Sequence, residues 1–324
     1  MTLAIGVIGL GVMGAEHLRL LRNETRDAQV VAVCDADDAR AQSLKGDATV
    51  FADPLALIGS DKVEAVVIAS PDNTPASLAM ACIASGKRVL CEKPLGGSTQ
   101  DALKVIDAEI SSGKRYVQTG YMRRFDPAYL ALQTAVATDQ IGNIVLMHNV
   151  HRNKAAPKWF RGAMAITNSF VHEIDVSRWL LGWGMASARI VSAKGGDPIL
   201  ITMETDLGQL VSTEVYLNAG YGYHVHCQLV GTKGTVETLQ DASITSNRDG
   251  RSAHVFPDNW IPRFREAYRL QMNAWVKSVQ DGTHVGASAW DGYVATAIAE
   301  QLVVALRSDT KVSLFPGPLP ALYI

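Results

Sequence analysis

The chain has 324 residues, with 30 Lys and Arg against 32 Asp and Glu for a formal net charge of -2. Hydrophobic residues make up 48% and charged residues 19%, which excludes a largely disordered protein and supplies apolar material for two domain cores. The near-balance of charge removes the electrostatic basis for binding nucleic acid or an anionic membrane surface.

Cys34, Cys82, Cys91 and Cys227 form no CxxC pair, so neither a disulfide framework nor a metal site is predicted, and the usage fits a reducing cytoplasm. The opening MTLAIGVIGLGVMGA is apolar, but it has no basic leader and carries glycines at 6, 9, 11 and 14, which argues against a secretion signal. No apolar stretch reaches the roughly 18–20 residues of a membrane span.

In chain order, short apolar runs at Ala4–Ile8, Val30–Cys34, Ala65–Ala69, Arg88–Cys91 and Tyr116–Thr119 alternate with amphipathic stretches at Ala15–Leu21, Thr74–Ala84 and Gln100–Ile110. That alternation predicts βαβ units around a buried parallel sheet. Beyond about Arg123 the strand-like segments become longer and consecutive: Asn143–Val150, Ala188–Ala193, Ile199–Met203, Gln209–Leu217, Tyr223–Val230 and Thr235–Thr238. With candidate helices at Phe170–Leu181, Phe264–Val279 and Ala289–Leu306, they predict a mostly antiparallel sheet with helices on one face. The expected fold class is α/β, an N-terminal Rossmann parallel sheet over 1–121 and a C-terminal α+β domain over 122–324.

The first strand runs into Gly9-Leu10-Gly11-Val12-Met13-Gly14 and then an apolar helix, and Asp35 closes the second strand roughly 20 residues on, where a dinucleotide fold places the carboxylate that binds ribose hydroxyls. The glycines permit a tight turn and close approach of backbone N–H groups to a pyrophosphate. Asp35 would meet the 2′-phosphate of NADP with like charge, and the nearest arginine, Arg40, lies a helical turn away. NAD is therefore the expected cofactor.

Two further motifs carry chemistry. Cys91-Glu92-Lys93-Pro94 lies at the carboxyl end of a strand, where open α/β sheets bind ligands, and a lysine on that turn can donate to a substrate hydroxyl or developing alkoxide. In NSFVHEIDVSRWLL, Asn168, His172, Asp175 and Trp179 share one helical stripe at about 100° per residue, apart from apolar Phe170, Val171, Ile174 and Leu181. The pattern suggests a helix packed on one side and lining a cleft on the other; the alternative makes Asn168 or Ser169 a helix cap. His224 and His226 share a strand face, but with no third ligand at matching spacing they do not define a metal site. No GxSxG elbow or phosphate-binding GxxxxGK sequence is present.

The GLGVMG turn, the CEKP motif, GYMRRFDP at Gly120–Pro127 and HEIDVSRWLLG at His172–Gly182 together resemble the glucose–fructose oxidoreductase/inositol dehydrogenase (Gfo/Idh/MocA) family over essentially the whole chain. NAGYGYHVHCQLVG at Asn218–Gly231 looks most like its inositol 2-dehydrogenase branch. The resemblance implies an NAD-dependent dehydrogenase that oxidises a secondary hydroxyl of a cyclic polyol such as myo-inositol, working as a homodimer or homotetramer. By the same resemblance, Lys93 binds the reacting hydroxyl and His172 is the general base. Arg123, Asn153, Asn168, Asp175 and Tyr223 would join them at the substrate, and Gly9, Gly11, Val12, Met13, Gly14, Asp35, Ser70, Asn73, Glu92 and Lys93 at the cofactor. Two positions depart from the pattern. Asn168 stands where inositol dehydrogenases usually have aspartate, so it can orient the imidazole of His172 without stabilising its charged form. Thr74-Pro75 stands where many members place a histidine. Asn168 keeps a monosaccharide, an anhydrosugar or a glycoside open as substrate, and a non-catalytic NAD-binding regulator is the remaining alternative.

Overall fold

The computed structural model describes residues 2–160, 162–182, 184–239, 245–308 and 310–324. The first third alternates as expected: β1 (Leu3–Ile8), α1 (Val12–Asn23), β2 (Ala28–Cys34), α2 (Asp38–Leu44), β3 (Thr49–Val50), α3 (Pro54–Gly59), β4 (Ala65–Ile68), α4 (Pro75–Ala84), β5 (Arg88–Cys91), α5 (Thr99–Ser112) and β6 (Val117–Thr119). There follow a 3-10 turn at Met122–Phe125, α6 (Pro127–Ala137), β7 (Ile144–Arg152), a π-helical turn at Ala165–Phe170 and α7 (Val171–Leu181). The remainder comprises β8 (Met185–Ser192), β9 (Ile199–Thr205), β10 (Leu210–Tyr216), β11 (His224–Gly231), β12 (Gly234–Glu237), β13 (Thr245–Arg248), β14 (Arg251–His254), α8 (Trp260–Asp281), β15 (Ala287–Ser288), α9 (Ala289–Ser308) and β16 (Val312–Ser313).

The first sheet has the order β15-β6-β5-β4-β1-β2-β3. Its β1–β6 pairings are all parallel, and β4 is buried at every residue, as a parallel strand covered on both faces requires. The order reverses between β1 and β4, and at such a switch point the loops after the strands diverge to leave a crevice. Gly9, Ser70 and the Glu92–Lys93 step all follow the carboxyl ends of β1, β4 and β5.

The chain divides into two compact units, with a change of unit between Met122 and Arg123. Tyr268–Ala297 and Pro316–Ile324 belong to the first unit. The reason is apolar burial and strand pairing: Met272, Trp275 and Val276 of α8 lie in the same core cluster as Ile5, Val33 and Val67, and β15 extends the sheet by pairing antiparallel with β6. The Tyr323 hydroxyl donates to the buried Glu109 carboxylate, which also accepts the Val117 N–H at 2.7 Å.

The second unit, Arg123–Ala267 with Ile298–Phe315, is built on a sheet of order β12-β11-β7-β10-β9-β8-β16. Its pairings are antiparallel except β10 with β7. Burial alternates along its central strands: Met147, Asn149, His151, Val211, Thr213 and Val215 are buried, whereas Leu200 and Leu210 are more than half exposed on the opposite face. Sequence periodicity did not reveal α2, α3 or α6, nor the β13–β14 hairpin. α3 has only six residues, α6 is apolar nearly all round, and the hairpin is exposed at every position, so none carries an amphipathic signal.

Candidate active site

The turn after β1 is shaped by contact. Gly9 has φ +84, and a Cβ there would lie 2.5 Å from the Ala69 carbonyl oxygen; one on Gly14 would lie 1.8 Å from the Gly9 oxygen. These two glycines press α1 against the sheet and β4. Gly11 differs: a Cβ there would meet nothing within 4 Å. It is the N-cap of α1, provides no side-chain cap, and is followed by a first turn without acidic residues. Room beside Gly11 at the start of α1, with no acidic residue in the first turn, fits a dinucleotide pyrophosphate. Val12 is exposed beside them and Met13 half-buried. Ser70 accepts the Thr74 hydroxyl at 2.7 Å, so Thr74, the departure from the family pattern, ties this loop to the start of α4; Asn73 is exposed on it.

Asp35 sits at the end of β2, where its carboxylate accepts the Leu10 N–H at 2.5 Å and the Asp37 N–H at 2.8 Å. Arg40, a turn away in sequence, folds back to place its guanidinium 3.1 Å from Asp35. The Asp35 carboxylate thus carries its own cation.

At the end of β5, Glu92 and Lys93 enter a turn whose Lys93–Pro94 peptide is cis. The Glu92 side chain points inward, 2.8 Å from His17 Nε2, and accepts the Lys93 N–H at 3.4 Å. Glu92, placed by resemblance among the cofactor contacts, is thus held by groups of the protein itself.

In the second unit, α7 carries HEID. Nine of its eleven residues are buried; of the polar stripe, His172 and Asp175 are buried while Asn168 and Trp179 are partly exposed, and the buried charges are matched internally. Glu173 is completely buried between the Arg123 guanidinium and His151 Nδ1, the latter at 2.9 Å. Burial raises the Glu173 carboxyl, but the charges of Arg123 and His151 outweigh it and hold the group below the usual carboxylate range. Asp175 takes a two-pronged contact from Arg124, at 2.6 and 3.0 Å. The two arginines are neighbours on one 3-10 turn, where successive side chains diverge by about 120°, so each reaches a different acid of α7. Arg123, expected at the substrate, is 1% exposed and lies against the rings of Tyr129 and Phe264; here it is a buried ion-pair member. Asp175 is one as well. Asp126 completes the set with Arg263 at 3.1 Å. Sequence reasoning did not single out Glu173, His151, Arg124 or His17. The available signal was that so many charged residues fell inside apolar helix and strand patterns.

Asn168 lies inside the π-helical turn that continues into α7, which rules out the cap reading, since helix begins before it. Its Oδ1 accepts the Thr167 hydroxyl at 2.7 Å. His172 is buried at 8% exposure. Asn153 follows β7, and its side-chain oxygen is buried with no hydrogen-bond partner among the described residues. Tyr223 packs edge-on to His151, and burial pushes its phenol up to about 12, against the pull of Arg123. Among the described residues no cluster of His, Cys, Asp and Glu could hold a metal ion; His224 pairs with Tyr221 and His226 with Glu237.

A parallel sheet with this strand order, an uncapped glycine turn and an acidic residue ending β2 define a dinucleotide-dependent enzyme. Residues 3–121 match the oxidoreductase family with an NAD-binding Rossmann fold, GFO_IDH_MocA, and residues 133–314 match its C-terminal alpha/beta domain. The chain belongs to this family, and its cofactor is NAD. It is 44% identical to inositol 2-dehydrogenase 1 of Saccharopolyspora erythraea, across all of this chain and 99% of that protein. It is 41% identical to the inositol 2-dehydrogenase of Acidothermus cellulolyticus, across 98% and 97%. Among solved structures it resembles myo-inositol dehydrogenase from Lactobacillus casei in complex with NAD(H) and myo-inositol, with a TM-score of 0.94, 28% identity and full coverage of both chains. No helix among the described residues is long and apolar enough to cross a membrane.

Two predictions follow from these contacts. NAD should exceed NADP by at least about tenfold in kcat/KM, the value of one charge-assisted hydrogen bond. Asp35→Ser should narrow that gap by freeing Arg40 for the 2′-phosphate; initial rates with both cofactors decide it. Glu173→Gln should destabilise the protein by about 3–5 kcal/mol, because it leaves Arg123 buried without its anion. The Arg123→Met/Glu173→Met double variant should recover much of that loss in urea denaturation.

Proposed function

We propose that the protein oxidises a secondary hydroxyl of a cyclic polyol, myo-inositol first, to the ketone. The observation that carries this reading is the end-to-end likeness to inositol 2-dehydrogenases at up to 44% identity, with Lys93 and His172 both in place. NAD, held by the glycine turn and Asp35, would supply the hydride acceptor for the carbinol carbon. Lys93 donates a hydrogen bond to the reacting oxygen and stabilises it as an alkoxide develops. His172 takes the hydroxyl proton, so carbon and oxygen together give up one hydride and one proton. The unpartnered Asn153 oxygen suits a neighbouring substrate hydroxyl, because a buried acceptor left unpaired costs about 1–3 kcal/mol. In this assignment Arg123 and Asp175 shape the site through their ion pairs.

Asn168 favours a second reading, in which the same chemistry acts on a monosaccharide, an anhydrosugar of the levoglucosan type or a glycoside. NADH formation across a panel of inositols, hexoses, pentoses, levoglucosan and methyl glycosides separates the two: the highest kcat/KM on an inositol supports the first, and on levoglucosan or a glycoside the second. The open face of the second sheet, with Leu200, Leu210 and Val191 exposed, supports assembly into a homodimer or homotetramer. The free, buried state of all four cysteines supports a cytoplasmic location.

His172→Ala and Lys93→Met should each lower kcat by about 10²–10⁴, the worth of a positioned proton-transfer group, while calorimetric NAD affinity stays near that of the parent. Near-full turnover in either variant would remove that residue from the mechanism. Asn168→Asp should move the acidic limb of the pH–kcat/KM profile upward, because a carboxylate beside an imidazole favours its protonated form; a limb that stays in place would detach Asn168 from the base.

A further inference from the structure

His17 has no place in the reaction as described, yet it is completely buried in α1 with its Nε2 2.8 Å from Glu92 Oε1. A carboxylate accepts only, so the ring nitrogen is the donor. The other carboxylate oxygen, Oε2, accepts the backbone N–H of Lys93 at 3.4 Å. Glu92 therefore bridges the helix that begins at the dinucleotide turn and the peptide from which Lys93 projects. Three further contacts fix this bridge. The Glu92 N–H donates to the Ile68 carbonyl at 2.8 Å, anchoring the residue to β4. The edge-to-face contact of His17 with Tyr268, 6.1 Å between centroids, sets the plane of the imidazole. Gly120, whose N–H donates to the Cys91 carbonyl at 2.7 Å, lies directly against the carboxylate: a Cβ there would be 2.8 Å from Glu92 Cδ and Oε2.

We propose that His17 is a positioning residue for the dehydrogenase reaction, acting through the Glu92 carboxylate to fix the backbone that carries Lys93. A lysine side chain has four rotatable bonds, so its ammonium is placed no better than the peptide it starts from. Displacement of a reacting group by about 1 Å costs on the order of 10²-fold in rate. The inference rests on the reading of Lys93 as the hydroxyl-binding residue.

The test compares His17→Leu, which removes the donor, with His17→Gln, which keeps an N–H at similar reach. Gly120→Ala supplies an independent perturbation that pushes the carboxylate while leaving His17 intact. For each folded chain, kcat and KM for myo-inositol, calorimetric NAD affinity and thermal midpoint are measured. His17→Leu and Gly120→Ala should lower kcat about tenfold or more, within the range such displacement produces. NAD affinity should stay within about threefold, and His17→Gln should recover most of the loss. Parent-like kcat in His17→Leu, or His17→Gln no better than His17→Leu, overturns the proposal; so does a fall in NAD affinity as large as the fall in kcat. Should His17→Leu fail to fold, Gly120→Ala decides on the same readouts. Lys93→Met separates the two layers: parent-like turnover there overturns the reading of Lys93, whereas its inactivity beside a fully active His17→Leu overturns the role of His17 alone.

Discussion

A carboxylate buried without a partner costs several kcal/mol, and this chain places one immediately beside each residue assigned to the chemistry. Glu92 precedes Lys93 and Glu173 follows His172. Each is answered by a histidine from a distant part of its own unit, His17 for Glu92 and His151 for Glu173, and Glu173 also by Arg123. Much of the surrounding sequence serves these two acids. Gly120 stays without a side chain so that the Glu92 carboxylate has room. The consecutive Arg123 and Arg124 sit on a 3-10 turn so that they diverge toward Glu173 and Asp175. The motif GYMRRFDP is thus largely a record of electrostatic obligations, with Asp126 meeting Arg263 at its end.

The parallel sheet, the glycine turn and the position of Asp35 were legible in the sequence because each follows from local rules: a continuous apolar run, a positive φ, a fixed distance along a βαβ unit. The antiparallel sheet was legible from its period-two alternation. The ion pairs of Arg123 and Asp175 were not legible, because their partners lie about 50 residues away and an ion pair leaves no periodic trace. The matched charges of α7 went unread for the same reason. A polar stripe on a helix ordinarily faces water, whereas here the polar side chains face buried counterparts, Ser177 reaching toward Asn149 on β7.

The assigned roles fit these surroundings. Each unit carries a rigid support for one of the side chains proposed to act on the substrate, the end of β5 for Lys93 and α7 for His172, and such supports place side chains better than loops do. Arg123 and Asp175 both hold α7 through their ion pairs, and α7 carries His172, the residue proposed as the base. The exception is Asn153, whose unpartnered oxygen is hard to explain by packing and easy to explain by a hydroxylated ligand.

The discontinuity of the first unit bears on how the protein is made. Met272, Trp275 and Val276 fill the same cluster as Ile5 and Val67, so the apolar interior of the cofactor-binding half stays incomplete until α8 has been translated. At roughly 5–20 residues per second, the roughly 200 residues between Val67 and Met272 keep that interior open for about 10–40 s on the ribosome. The second unit has no such wait over most of its length, since β7–β12 and α7 are contiguous. The nascent chain would therefore consolidate its antiparallel sheet first and close its nucleotide-binding half last, exposing β1 and β4 to chaperones in the interval.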